Sequence, residues 1–335
     1  MAIRTSIGND HAAGLKFVDA VLRLKKAPSR LKPATSSRYD DYVFVHIQSM
    51  LMLTVIDPAR PIVNGNLKAG GMRMPMPGGM GGMWAHQNPT FLPWHRELLH
   101  QLELDLQAVS GDNTVAIPYW DWTVDQDQTK APWVNDLMGG KGAGVDVPVT
   151  TGPFARGQWV LSLNVDDNGK PIGEDFLRRT YQPPKPPGLP TTTEVNSCLG
   201  NLVYDAPNWD DDPSLATFRN QLEGYNHAAG RTKGLHNLVH SWVGGTMNSI
   251  TGSPNDPVFF LHHANVDRLW DQWIKKNPAI KHYLPETLPP GTTWPVTVDK
   301  AMTFFDPKVS TAPWAAPPAT PRQMLDLATL GYSYA

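Results

Sequence analysis

Apolar residues recur at three-and-four spacing in four stretches of the chain, and each of these stretches carries histidine. Tyr39, Tyr42, Val43, His46, Met50 and Leu53 fall on one stripe, which predicts a helix with His46 turned inward. A second helix is expected to open near Thr90 and Pro93, residues suited to a cap and first turn. It runs through FLPWHRELLHQLELDLQAV to the break at Ser110-Gly111 and holds His95 in its first turns. The third spans Leu235 to Val243, with Gly234 before it and Gly244-Gly245 after, and sets His236 and His240 one turn apart on one face. The fourth opens at Asp256-Pro257 and carries FFLHHANVDRLWDQW.

Between these pieces the pattern is irregular: GGKGAG at 139–144, QPPKPPGLP at 182–190, and Asp210-Asp211-Asp212. With Gly 28 and Pro 32 in 335 residues, the chain stays below the roughly 25–30% typical of low-complexity disorder. Long ordered connections around a small helical bundle are therefore expected, and no internal repeat of fixed period is present.

Periodicity also sorts the histidines. His263 shares a stripe with Phe259, Val266, Trp270 and Trp273 and should face inward, whereas the stripe of His262 includes Asn265. His262 is thus expected to support the site or pack beneath it. His100 lies about 140° around its helix from His95 and points elsewhere, as an exposed or capping residue. His11, His227 and His282 stand in polar or loop contexts.

Composition narrows the chemistry. A hydrophobic content of 41% is ample for a sizeable core, and Lys+Arg 29 against Asp+Glu 31 gives no basic excess for nucleic acid. The single Cys198 excludes a disulfide framework, a Cys-rich zinc site and an iron-sulfur cluster. The segment MAIRTSIGNDHAAGLKF lacks the charged and apolar regions of a secretory signal, and no apolar run approaches the 18 residues of a membrane span. A cytoplasmic protein is expected, or one exported with a signal-bearing partner. Metal chemistry must rest on histidine, and His46, His86, His95, His236, His240 and His263 suffice for two ions with three nitrogens each. The HExxH pattern of zinc peptidases is broken by Asn237.

Four segments acquire a common meaning when read in order: His86-Gln-Asn-Pro-Thr-Phe-Leu-Pro-Trp-His95-Arg, Pro118-Tyr-Trp-Asp-Trp122, Leu235-His-Asn-Leu-Val-His-Ser-Trp-Val-Gly-Gly245, and Ser253-Pro-Asn-Asp-Pro-Val-Phe-Phe-Leu-His-His-Ala-Asn-Val-Asp-Arg-Leu-Trp270. Together they closely resemble the type 3 copper proteins, particularly the bacterial tyrosinases, and the likeness extends from about Lys16 to Tyr334, with Thr150 to Phe154 and Leu222 to Gly224 between.

The resemblance implies a mainly helical single domain, residues 1–335, whose four-helix bundle encloses a dinuclear copper site. Core segments fall at 37–57, 84–123 and 220–276, joined by a loop-rich connection at 124–219 and closed by a loop segment at 277–335. It assigns His46, His86 and His95 to one copper, and His236, His240 and His263 to the other. Dioxygen is the implied co-substrate; a small phenol, catechol or o-aminophenol is hydroxylated or oxidised to an o-quinone. It makes Glu223 and Asn237 the holders of a water that takes the phenolic proton, and sets Ser241 where the family tunes phenolase against catecholase activity. The cysteine that some relatives link to a copper ligand is replaced by Trp84, so no such thioether forms. A copper-delivery accessory (caddie) protein is an implied partner.

Within this class a catechol or o-aminophenol oxidase without monophenolase activity is the nearest rival. An oxygen carrier is disfavoured because no added β-domain is visible after Val309, and a dinuclear zinc hydrolase because the matched positions hold no bridging carboxylate. Met72, Met74, Met76, Met80 and Met83 crowd a Gly/Pro-rich loop leading to His86; thioethers favour Cu(I), so the loop is expected either to hand over cuprous ion or to cover an apolar surface.

Overall fold

The computed structural model describes residues 1–32, 34–51, 84–144, 147–167, 169–181, 188–292, 295–304 and 318–335. Leu53 and the five methionines from Met72 to Met83 lie outside the described residues. Eight α-helices are present among those described: α1 (His11–Leu24), α2 (Arg38–Leu51), α3 (Phe91–Ser110), α4 (Thr192–Leu199), α5 (Phe218–Glu223), α6 (Leu235–Val243), α7 (Val258–Lys276) and α8 (Leu327–Leu330). The histidine-bearing helices α2, α3, α6 and α7 occupy the positions that periodicity predicts.

Their local chemistry follows the expected signals, with two differences. Gly111 ends α3 in the left-handed region (φ 68°). The backbone N–H of Val258 donates to the Asp256 carboxylate at 3.1 Å, which caps α7. Thr90, however, does not cap α3 through its side chain: its hydroxyl donates to the Trp84 carbonyl at 2.7 Å and ties down the segment that carries His86. Helix α2 is buried from Tyr39 to Met50 on every face rather than along one stripe. Its two aspartates remain inside because Asp40 pairs with Lys25 and accepts from Ser37, while Asp41 accepts from Ser29, Thr35 and the Arg30 backbone.

Helix α3 packs against α1, α7 and α5, and α6 against α5 and α7. Helix α1 was not among the predicted elements, although Gly14, Phe17, Val21 and Leu24 are its buried stripe. The connection expected to be loops holds α4, opened by a capping box from Thr191 and Glu194, and a short antiparallel pair, β2 (Val147–Pro148) with β3 (Arg178–Arg179). A parallel pair, β1 (Ala2–Arg4) with β4 (Tyr332–Tyr334), joins the two ends of the chain. One cluster of buried apolar side chains runs from Ile7 to Met324. No helix of the described residues is long and apolar enough to cross a membrane.

Candidate metal centre

Six of the histidines converge from four helices and one connecting segment. His46 comes from α2, His86 from the segment before α3, His95 from the first turns of α3, His236 and His240 from α6, and His263 from α7. They form two groups whose potential ligand atoms all lie within 4.8 Å of one another: His46, His86 and His95 in one, and His236, His240 and His263, joined by His262, in the other. In the second group the Nε2 atoms of His236 and His240 approach His263 Nε2 at 3.3 and 3.4 Å. The groups are adjacent, with His95 stacked on His263 at 4.3 Å between ring centroids and Phe91 and Phe259 filling the space beside them.

Hydrogen bonding fixes which nitrogen five of the six rings present. Carbonyl and carboxylate oxygens only accept, so an Nδ1 that meets one must carry the proton, and Nε2 keeps its lone pair. Nδ1–H of His46 donates to the Thr251 carbonyl at 2.8 Å, that of His95 to Phe91 at 2.8 Å, and that of His240 to Met247 at 2.7 Å. His236 Nδ1 is shared between the Glu223 carbonyl at 3.2 Å and Asn237 Oδ1 at 3.0 Å; His86 Nδ1 donates to Glu223 Oε1 at 3.2 Å. The Nε2 atoms of His46, His86 and His95 are buried and have no hydrogen-bond partner. Such orphaned acceptors are costly unless an ion takes them. Burial, followed in most by repulsion from neighbouring imidazoles, pushes His46 and His240 down to about 3 and lowers His95, His236 and His263 well below the usual range, so these rings stay neutral. Neutral imidazoles with no carboxylate in either group suit a borderline redox metal such as copper.

His262 has the opposite polarity. Trp122 Nε1–H donates to its Nδ1 at 3.1 Å, so the neutral ring carries its proton on Nε2 and cannot offer a lone pair there. It stacks on His236 at 5.0 Å, supporting the site from beneath as its helical face suggested. The other histidines stand apart: His11 meets Asp136 at the surface, His227 its neighbour's carbonyl, and His282 the Asn277 carbonyl after the end of α7. His100 is half-buried rather than exposed.

Glu223 is fully buried at the end of α5. Its Oε1 accepts from His86 and from the Gln87 backbone at 2.8 Å, and its Oε2 from Arg219 at 3.1 Å. Arg219 is held in turn by Asp205. Gly224 follows at φ 111°, where an added Cβ would stand 2.6 Å from the Gly234 carbonyl, and this close approach lets the chain turn from α5 toward α6. Arg219 and Gln87 were not foreseen; the Arg219/Glu223 spacing of four is the signal that marks the first.

A cavity of ≈ 180 Å³ opens onto the centre, lined by His46, His86, His236 and His240, by the apolar Met50, Met247 and Ile250, and by the polar Gln87, Tyr225, Asn237, Lys233 and Asn248. Asn237 thus reaches the cavity, while Glu223 stands behind it. Ser241 accepts from Lys233 Nζ at 2.8 Å.

Residues 36–276 match the family model described as the common central domain of tyrosinase. The chain is 39% identical over 273 residues to a tyrosinase of Streptomyces glaucescens, covering 81% of each protein. It is 38% identical over 287 residues to grixazone synthase of Streptomyces griseus, covering 81% of this chain and 83% of the relative. Among solved structures, a variant polyphenol oxidase from Thermothelomyces thermophila superposes with a TM-score of 0.65 at 22% identity over 100% of this chain and 89% of that one. A functional unit of octopus hemocyanin gives 0.50 at 20% identity, over 100% and 68%. These two likenesses speak to the fold.

Proposed function

The chain belongs to the tyrosinase family, and from that premise we propose how its own residues serve the chemistry. The protein is a copper-dependent phenol oxidase of the tyrosinase type, a dicopper enzyme acting on phenolic compounds with dioxygen. We assign His46, His86 and His95 to one copper and His236, His240 and His263 to the other, each through Nε2. The observation that carries this assignment is the set of five Nδ1–H groups already committed to oxygen acceptors, which turns five lone pairs toward two adjacent points. When bound, the copper pair supplies dioxygen binding and the redox capacity for ortho-hydroxylation and quinone formation.

The remaining work falls to the protein. The cavity is of the size that admits one substituted aromatic ring, since an apolar void of about 150 Å³ holds benzene. Met50, Met247 and Ile250 supply apolar surface for that ring. A phenol with pKa near 10 must lose its proton at neutral pH. We assign that proton to a water held between Asn237, which lines the cavity, and Glu223, whose carboxylate lies behind His86. Ser241 anchors Lys233 at the mouth. We take residues 1–335 as one copper-binding domain, a reading supported by the single large core cluster. Copper delivery by a small accessory protein belongs to the same reading and rests on family likeness.

Reconstitution under air tests the assignment. Two copper ions per chain, with oxygen uptake and quinone formation from tyrosine, a catechol and an o-aminophenol measured side by side, is the expected result. Oxidation of the last two without tyrosine hydroxylation would indicate an oxidase lacking monophenolase activity. Fewer than two ions, or oxygen binding with no substrate oxidised, would overturn it.

A further inference from the structure

Lys233 supplies the only charged side chain, apart from the histidines, among the described residues lining the cavity. It is exposed at the mouth, within reach of solvent, and its Nζ donates to the neutral hydroxyl of Ser241 at 2.8 Å; it makes no ion pair with any described residue. One carboxylate, Asp167, acts on it from a distance, and that group is already occupied: its Oδ1 accepts from the Ile250 backbone at 2.9 Å and from Ser249 at 3.4 Å. Ser241 in turn donates to Asn248 Oδ1 at 3.3 Å, so Lys233 and Asn248, which both line the cavity, are tied together through a serine beside it.

Resting on the phenol-oxidase reading, we propose that Lys233 selects ring substrates whose side chain ends in a carboxylate. With the ring among Met50, Met247 and Ile250, a substituent opposite the reacting oxygen runs outward along the wall that carries Lys233. A carboxylate there gains a charge-assisted hydrogen bond from an ammonium that otherwise has only a hydroxyl. No carboxylate lines the cavity among the described residues, so an ammonium-bearing side chain meets like charge and finds no counter-ion within it. Because the lysine is exposed, the discrimination is modest, about three- to five-fold, and weakens with salt.

The test compares 3-(3,4-dihydroxyphenyl)propanoate, 4-ethylcatechol and dopamine, carrying an anionic, a neutral and a cationic tail on one ring, with copper-loaded wild type, Lys233→Met and Lys233→Arg. The expected result is a carboxylate-to-neutral ratio of kcat/KM that falls about three- to five-fold in Lys233→Met, survives in Lys233→Arg, and shrinks in about 0.5 M salt. Calorimetric binding of 3-phenylpropanoate, which cannot be oxidised at the ring oxygen it lacks, should weaken in parallel. A ratio and an affinity unmoved by Lys233→Met would overturn the proposal. Failure of wild type to oxidise 4-ethylcatechol would instead sink the oxidase reading, while the calorimetric comparison would still judge Lys233.

Discussion

At the scale of single residues, adjacent histidines are told apart by what binds their far nitrogens. His263 presents Nε2 to its neighbours, whereas the proton that Trp122 forces onto His262 Nε2 disqualifies that atom. His263→Gln should therefore lose one of two copper equivalents by metal analysis. His262→Gln should keep both and lose about 1–2 kcal/mol of stability in denaturant unfolding through the broken Trp122 bond and ring stack. Helical faces in the sequence favoured His263 over His262, but both rings are buried, so exposure does not separate them and the hydrogen bonding does. That chemical cause was not legible in the sequence, because Trp122 lies 140 residues away. The burial of Glu223 was hidden for the same reason: its partners His86 and Gln87 sit more than 130 residues earlier.

Elements became legible wherever a stripe and a terminal signal coincided. Helices α3, α6 and α7 had both, and α2 had a stripe alone. Helix α5 is only six residues long, too short for a periodic stripe to declare itself, and α4 is eight residues that follow a run rich in proline. Helix α1 had a stripe, but it carries no site histidine to draw attention to it. The joint between α5 and α6 is where element geometry controls the centre, since Gly224 stands between Glu223 and the strand of chain leading to His236. Gly224→Ala adds a Cβ at 2.6 Å from the Gly234 carbonyl and at 3.0 Å from Asn237 Cβ, on a left-handed backbone. A loss of about 2–4 kcal/mol in chemical unfolding is expected, together with weakened retention of copper.

Across the whole molecule, the ends of the chain are locked onto the helices that bear His95 and His263. Arg4 pairs with Glu103 at 2.8 Å and Asp267 at 3.2 Å, Arg96 pairs with Asp267, and the hydroxyls of Tyr332 and Tyr334 donate to the same Asp267 oxygen. Removing the charge at the hub by Asp267→Asn leaves two buried guanidiniums short of their counter-ion and should cost about 3–5 kcal/mol, read from the midpoint of denaturant unfolding. None of this was legible in the sequence, because pairing of residue 4 with residue 334 has no local signature. A different long-range tie has a consequence for assembly. Glu223 grips His86 with its carboxylate and His236 with its backbone carbonyl, so one residue is the common hinge-pin of both triads. On the proposed ligand assignment, filling either triad is expected to stiffen the other, and a population given half the copper it needs should divide into empty and fully charged molecules, as native mass spectrometry would count them, with singly charged intermediates scarce.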